Sequence, residues 1–382
     1  MQSLFAPPPY AHGDSLLKAN RSLLRRKLLL SNMVQPEFSP ETYPPFPDHL
    51  KHIYLDTISL QKLLNDEEEE KERVFQACKD RGFFYLELAG SEDGDFLSRG
   101  AADLARLAEK TFQVPQSEKD KCSHAVTKSI IGYKKIGASI VDKDGTPDTA
   151  EFLNISKDDM LANEPKIEWP QAVMDSRPLL RKYMKTAHSV GMLILGILAA
   201  KLDVPPSSIQ DAHKISESSG DHVRLTRGPP RKSSKLEDLE IATPSHTDFG
   251  SITILANWLG GLQLWSQSSR GGEKNVVEQE GPGEWLWAKP RKGCAIVNLG
   301  DAAVKFTNGV FCSGRHRVLS APGEQGKFPR YSVVYFVRPN DNVILKQLHS
   351  DKIPEPQEEE EEVTAKNWIL QQAKGLGLKL GD

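Results

Sequence analysis

The chain changes texture near residue 220. Before it, apolar residues recur at helical spacing; after it, short stretches rich in β-branched residues alternate with Gly, Pro and Asn. The clearest helical stripe is Pro178 to Leu202, where Leu180, Met184, Ala187, Val190, Ile194 and Ile197 lie on one face. Helices are also predicted over Leu60–Asp80, over Gly94–Phe112, and in the tail between Val363 and Leu380. Strands are predicted near Ile53–Leu55 and over Gly82–Leu88. The acidic patch Asp66–Glu70 reads as a solvated face of the first helix. His188, inside the long stripe, reads as a packed or hydrogen-bonded histidine and not as a ligand.

From Asp221 to Val343 the pattern predicts an eight-stranded double-sheet jelly roll. The expected fold is thus a mainly β core with helical support. It is a double-stranded β-helix (jelly roll) preceded by an N-terminal α/β helical region. Four parts are expected: a flexible Pro-rich leader over 1–49, a helical region over 50–210, the jelly-roll core over 211–345, and an acidic segment with a C-terminal helix over 346–382. Ser266–Gly283 reads as an exposed hairpin excursion and Ser233–Asp238 as a surface loop. The tail helix is placed as a cover for one mouth of the barrel.

Composition narrows the function classes. The 382 residues are 38% hydrophobic and 26% charged, with a net charge of −3, as in ordinary soluble globular proteins. Near-neutral charge gives no support for a nucleic-acid partner. No uninterrupted apolar run reaches the length of a bilayer span. Ser22–Leu30, a candidate amphipathic helix, is broken by Arg25, Arg26 and Lys27. Cys78, Cys122, Cys294 and Cys312 contain no C-x-x-C pair, which fits free thiols in a reducing compartment. The expectation is a cytoplasmic protein with a small-molecule partner, no membrane or nucleic-acid partner, and an oligomeric state left open, a monomer being compatible.

The candidate chemistry lies between Thr243 and Pro339. Three His-x-Asp steps occur, at His12, His246 and His349, so the motif alone decides nothing. Only His246 stands directly before a strand-like segment, Ser251–Asn257, and has a distant histidine and an Arg-x-Ser downstream. In an extended segment residues i and i+2 point to one side, so His246 and Asp248 can bind one ion together. With His316 they make the two-histidine, one-carboxylate set of non-haem Fe(II) oxygenases. A zinc reading through Cys312, close before His316, lacks a second Cys/His pair. On Arg330–Val337 the same alternation puts Arg330 and Ser332 on one face. The strand is apolar on both faces, so Arg330 should be buried and need an anion, which a carboxylate-bearing co-substrate supplies.

Further segments extend this pattern: Gly261–Trp265, Trp285–Trp287, Val297–Asp301, Thr307–Gly309, His316–Val318, and Arg330–Ser332 leading to Phe336 and Pro339. With Ile53–Asp56, Phe75–Leu86 and Val114–Lys119 upstream, the chain resembles the isopenicillin N synthase-like branch of the Fe(II)/2-oxoglutarate-dependent dioxygenases over roughly residues 50–340. The resemblance implies Fe(II) on His246, Asp248 and His316, and 2-oxoglutarate as co-substrate with its distal carboxylate on Arg330 and Ser332. It implies O2 as oxidant, ascorbate as a candidate reductant, and succinate and CO2 as products. Asp248 leaves no halide position, which favours hydroxylation, desaturation or ring closure of a small organic molecule, with specialised metabolism as the setting by analogy. One position departs: Gly228 stands where relatives carry a tyrosine that helps hold an acid, so Thr226, Arg227 or water would replace that bond. A 2-oxoglutarate-independent oxidase and a catalytically silent binding protein are the alternatives on the same fold. Tyr133, Phe152 and Phe249 are candidate substrate contacts, with core packing as the competing role.

Overall fold

The strands after residue 220 pass back and forth between two sheets. In chain order they are β1 (Thr57–Ser59), β2 (Phe83–Glu87), β3 (Gly132–Lys134), β4 (Glu151–Ser156), β5 (His222–Gly228), β6 (Ile241–His246), β7 (Ile252–Asn257), β8 (Leu262–Gln267), β9 (Gly283–Trp287), β10 (Cys294–Leu299), β11 (His316–Leu319) and β12 (Arg330–Val337). The computed structural model describes residues 38–231, 233, 235–267, 283–356 and 362–375. The minor sheet is β6-β11-β8-β9, and the major sheet is β1-β2-β10-β7-β12-β5-β4-β3. The eight strands from β5 to β12 therefore split four and four, which is the predicted double-sheet jelly roll. The N-terminal half widens the major sheet at both edges: β1 and β2 join beyond β10, β3 and β4 beyond β5.

β12 lies between β7 and β5, and all eight of its residues are buried. A strand covered on both faces reads as a continuous apolar run, and this one does, except at Arg330 and Ser332. The helix Arg177–Lys201 packs across the outer face of this sheet together with Glu92–Phe112. Gly191 permits the close approach, since a Cβ there would come within 2.9 Å of Val337 Cγ2. Leu180, Met184, Ile194 and Leu198 are buried along its length, each worth about 1.5–3 kcal/mol of apolar burial. Between the sheets, Leu55, Phe83, Tyr85, Leu262, Leu264 and Ile296 form one apolar cluster.

Several expectations change. Ile53 and Leu55 are buried with Tyr54 exposed between them, but the segment is tied by a bond from the Ile53 N–H to the Trp287 carbonyl; the strand proper is β1. The helix expected over Leu60–Asp80 is two helices, Leu60–Leu64 and Glu68–Asp80, because Asp66 adopts φ 63° between them. By length and hydropathy Arg177–Lys201 would suffice to cross a bilayer, contrary to expectation, but 61% of its most apolar stretch is buried against the fold. His188 does hydrogen-bond: its Nδ1 lies 3.2 Å from Asp221 Oδ2. The C-terminal helix is Ala365–Gly375, its Ile369 and Ala373 packing with Ile130 beside Phe249. Within the leader, Phe46 stacks edge-on against Trp287 at 6.0 Å, and the Pro44 carbonyl accepts from Gln325 Nε2 at 2.9 Å. Most of Ser266–Gly283, the Ser22–Leu30 segment and His12 lie outside the described residues.

The acidic patch is not uniformly wet. Glu70 is 2% exposed; it accepts the Ser59 main-chain N–H and pairs with Arg73 Nη1 at 2.8 Å, while Glu69 is exposed. Removing the buried Glu70 carboxylate takes the acceptor from two part-buried donors, so Glu70→Ala should cost about 1–3 kcal/mol in urea denaturation, against about 0.5 kcal/mol or less for Glu69→Ala.

Candidate active site

Pairing of β6 with β11 sets His246 opposite His316, with imidazole centroids 4.3 Å apart. Asp248 follows two residues beyond the end of β6. Its Oδ1 lies 3.7 Å from His246 Nε2 and 3.9 Å from His316 Nε2. One donor atom from each residue falls within 4.8 Å of the others, and among the described residues no other such His/Cys/Asp/Glu group occurs. The register of β6 on β11 shifts just past His316, an irregularity of the kind that re-aims side chains beside active sites.

Each ligand's other polar atom is already bonded. His246 Nδ1–H donates to the Pro244 carbonyl at 2.8 Å, and His316 Nδ1–H to the Gly314 carbonyl at 3.0 Å. Both rings therefore present a bare Nε2 to the centre. Asp248 Oδ2 accepts from Thr253 Oγ1 on β7 and Asn298 Nδ2 on β10, both at 2.8 Å, which leaves Oδ1 aimed inward. Phe83 on β2 buttresses His316 edge-on at 5.4 Å. Burial, and then the neighbouring His316, push the His246 imidazole down to about 4. Burial would raise the Asp248 carboxyl, but the two histidines and the two hydrogen bonds hold it at about 2. At neutral pH His246 is thus neutral and Asp248 ionised, the states a divalent cation binds.

The donor set fits Fe(II): two imidazole nitrogens and one carboxylate oxygen on one side, with the cavity on the other. The rival His-x-Asp at His349 is exposed, and Cys312 donates its thiol to the Lys79 carbonyl at 2.7 Å, away from any zinc arrangement.

Arg330 and Ser332 are both 5% exposed and share the inner face of β12. Arg330 Nε–H donates to the Gly260 carbonyl at 2.8 Å, and among the described residues no carboxylate pairs with it. Burial alone lowers its pKa, to about 10, so the guanidinium stays charged. Gly228 stands directly opposite Arg330 in the register, and the two line a small cavity with Ala242 and Ala321. Of the substitutes considered for the missing tyrosine, Arg227 is occupied, pairing with Glu151 at 2.6 Å. Thr226 shares the inner face with Gly228, opposite Ser332.

A cavity of ≈ 780 Å³, open solvent at its mouth included, is lined by His246 and Asp248. Phe152 and Phe249 line it as expected; Tyr133 does not. Tyr133 pairs with Leu153 across the strands, so it faces opposite to Phe152, and its hydroxyl donates to Glu151 at 2.7 Å. The sequence reading missed Arg224, Arg338, His124 and Phe336, which also line the cavity, and Ala373 of the C-terminal helix, which closes one side. The odd–even position of Phe336 and Arg338 relative to Arg330 was the available signal for two of them. Nothing local marks His124.

Residues 55–175 match the family described as non-haem dioxygenase in morphine synthesis N-terminal, and residues 220–339 the 2OG-Fe(II) oxygenase superfamily. A 2-oxoglutarate-dependent dioxygenase of Aspergillus fumigatus is 35% identical over 317 residues, 81% of either chain. The 2-oxoglutarate-dependent dioxygenase frbH of a Dothideomycetidae species is 29% identical over 77% of this chain and 85% of that one. Among solved structures, a full-length Neurospora crassa protein in complex with alpha-KG shares the fold at a TM-score of 0.67 and 20% identity, over 90% of this chain and 99% of that one. With a relative this similar over most of its length, the chain belongs to the 2-oxoglutarate-dependent dioxygenases, oxidoreductases that use Fe(II), 2-oxoglutarate and O2.

Proposed function

We propose that His246, Asp248 and His316 hold Fe(II), and that Arg330 and Ser332 receive the distal carboxylate of 2-oxoglutarate. The observation that carries this reading is the convergence of three donor atoms whose partner atoms are all tied off. Fe(II) held there would supply O2-dependent oxidation of a small organic molecule, by hydroxylation, desaturation or ring closure, with 2-oxoglutarate consumed to succinate and CO2. The chain's own residues do the rest. Pro244 and Gly314 hold the histidine tautomers, Asn298 and Thr253 orient the carboxylate, and Arg330 sets the co-substrate's direction. Phe152, Phe249 and Ala373 keep water from the reacting side. Neighbouring folds hold small organic molecules, thymine in the Neurospora crassa protein and JA in JOX2, which supports a substrate of cavity size here. Four free thiols and near-neutral charge support a cytoplasmic enzyme without membrane or nucleic-acid partner.

His246→Ala, Asp248→Ala and His316→Ala should each lose Fe(II) and turnover while the circular dichroism spectrum stays that of the parent. Asn298→Ala keeps all three ligands but frees the carboxylate to rotate, so Fe(II) affinity by calorimetry should fall about 10–100-fold.

Arg330→Ala should raise the KM for 2-oxoglutarate by more than about tenfold, from a loss of about 2–5 kcal/mol, with Fe(II) binding unchanged. Arg330→Lys keeps charge without the fork and should fall between; Ser332→Ala should cost about 1 kcal/mol. Succinate is quantified alongside. An unchanged KM in Arg330→Ala, or turnover without succinate, assigns the chain to the 2-oxoglutarate-independent oxidases instead.

A further inference from the structure

The metal centre and the co-substrate anchor leave two cations of the same cavity unexplained. Arg338, just past β12, is 4% exposed, and its Nε and Nη1 are buried with no hydrogen-bond partner. Arg224, on β5, gives its Nε–H to Asn154 Oδ1 at 2.8 Å. Among the described residues neither guanidinium has a carboxylate in a salt bridge. Of the two buried acids that act on Arg338, Asp248 belongs to the proposed metal site and Asp221 is spent elsewhere. Its Oδ1 accepts the Arg338 main-chain N–H at 2.7 Å, and its Oδ2 the Tyr335 hydroxyl at 3.0 Å, with His188 beside it. Burial lowers the pKa of both arginines to about 10, so both remain charged.

The guanidinium planes are held in place. Phe152 and Phe336 flank Arg224 at 4.4 and 4.9 Å, and Phe336 lies 5.5 Å from the Arg338 head. His124, also on the cavity, has a buried Nε2 without a partner. These groups do not duplicate the co-substrate anchor. Arg338 lies eight residue steps after Arg330, roughly 26 Å of extended chain. Arg330 lines the small cavity with Gly228, whereas Arg224 and Arg338 line the main cavity with His246 and Asp248.

We propose that Arg224 and Arg338 form the recognition site for a carboxylate on the substrate that is oxidised. Guanidinium forks match a carboxylate in two-pronged geometry, and Arg338 keeps two buried donors, Nε and Nη1, that an anion would satisfy. Ile130, Phe152, Phe249, Phe336 and Ala373 supply apolar wall, beside the polar Ser139, Asn154, Thr243 and Thr247 and beside Asp148, whose carboxylate is paired with Lys134. The substrate class is therefore a small acid with an apolar or aromatic body. This rests on the dioxygenase reading of the same cavity.

The test uses the full chain with Mn(II), a redox-inert substitute for Fe(II), and saturating 2-oxoglutarate. Benzoate, phenylacetate and 4-phenylbutyrate are titrated beside their primary amides, with thermal unfolding and calorimetry as readouts. At least one acid should raise Tm and bind about tenfold or more tighter than its amide. Arg338→Met and Arg224→Met should each erase that preference, Arg338→Lys should keep part of it, and ligand-free Arg338→Met should melt no lower than the parent. No acid-over-amide preference in the panel, from equal binding or from none, overturns the proposal. So does a preference that survives in both Met variants. Metal-dependent 2-oxoglutarate binding in the same samples separates the two readings: its absence defeats the dioxygenase assignment of the site, its presence without acid preference defeats only the carboxylate site.

Discussion

The register of β6 on β11 is the constraint on which the rest of the site depends. It sets the two histidines opposite each other across a strand pair, where side chains on one face are near neighbours. A slip of one residue would turn one imidazole to the other face of the sheet. The third ligand answers to the other sheet, since Thr253 on β7 and Asn298 on β10 hold Asp248. The candidate metal site is thus a junction between the two sheets, and their packing is a condition of its geometry. Phe83 extends the dependence to the N-terminal half, because its ring supports His316 from β2.

Much of this was legible from pattern alone. The long amphipathic helices were visible because their apolar stripes are dictated by packing on the sheet. The convergence of His246, Asp248 and His316, and the shared face of Arg330 and Ser332, were legible because strand alternation says which residues share a face. What alternation withholds is which face looks inward. Tyr133 and Phe152 both read as flanking aromatics, yet strand pairing sends them to opposite sides. The same gap hid Arg224 and Arg338, which look like ordinary surface arginines until the sheet is closed. Glu70 was misread for a related reason: within a run of five acidic residues, burial belongs to the one that meets the Ser59 main chain, and that meeting is tertiary.

Charge along the barrel interior follows a simple division. Arg330, at one end of β12, lies beside Gly228, where the missing tyrosine leaves Thr226 as the remaining inner-face hydroxyl near Ser332. Arg338, past the other end, lines the main cavity. Asp248, the carboxylate of the proposed metal site, lines the same main cavity. On the proposed reading, a single buried strand would carry an anion anchor at each end, one for the co-substrate and one for the substrate.

The cavity wall also has a history written in chain order. Its lining is drawn from His124, the Asp148–Asn154 stretch, Arg224, the Ala242–Phe249 stretch, Phe336 and Arg338, and finally Ala373. All three metal ligands have been synthesised by residue 316, whereas the last wall is added near the end of the chain. During synthesis, then, the three residues of the proposed metal site exist before the last wall of the cavity does. Contacts this distant in sequence form late and slowly. Were the site to assemble before that wall, it would stand open to water.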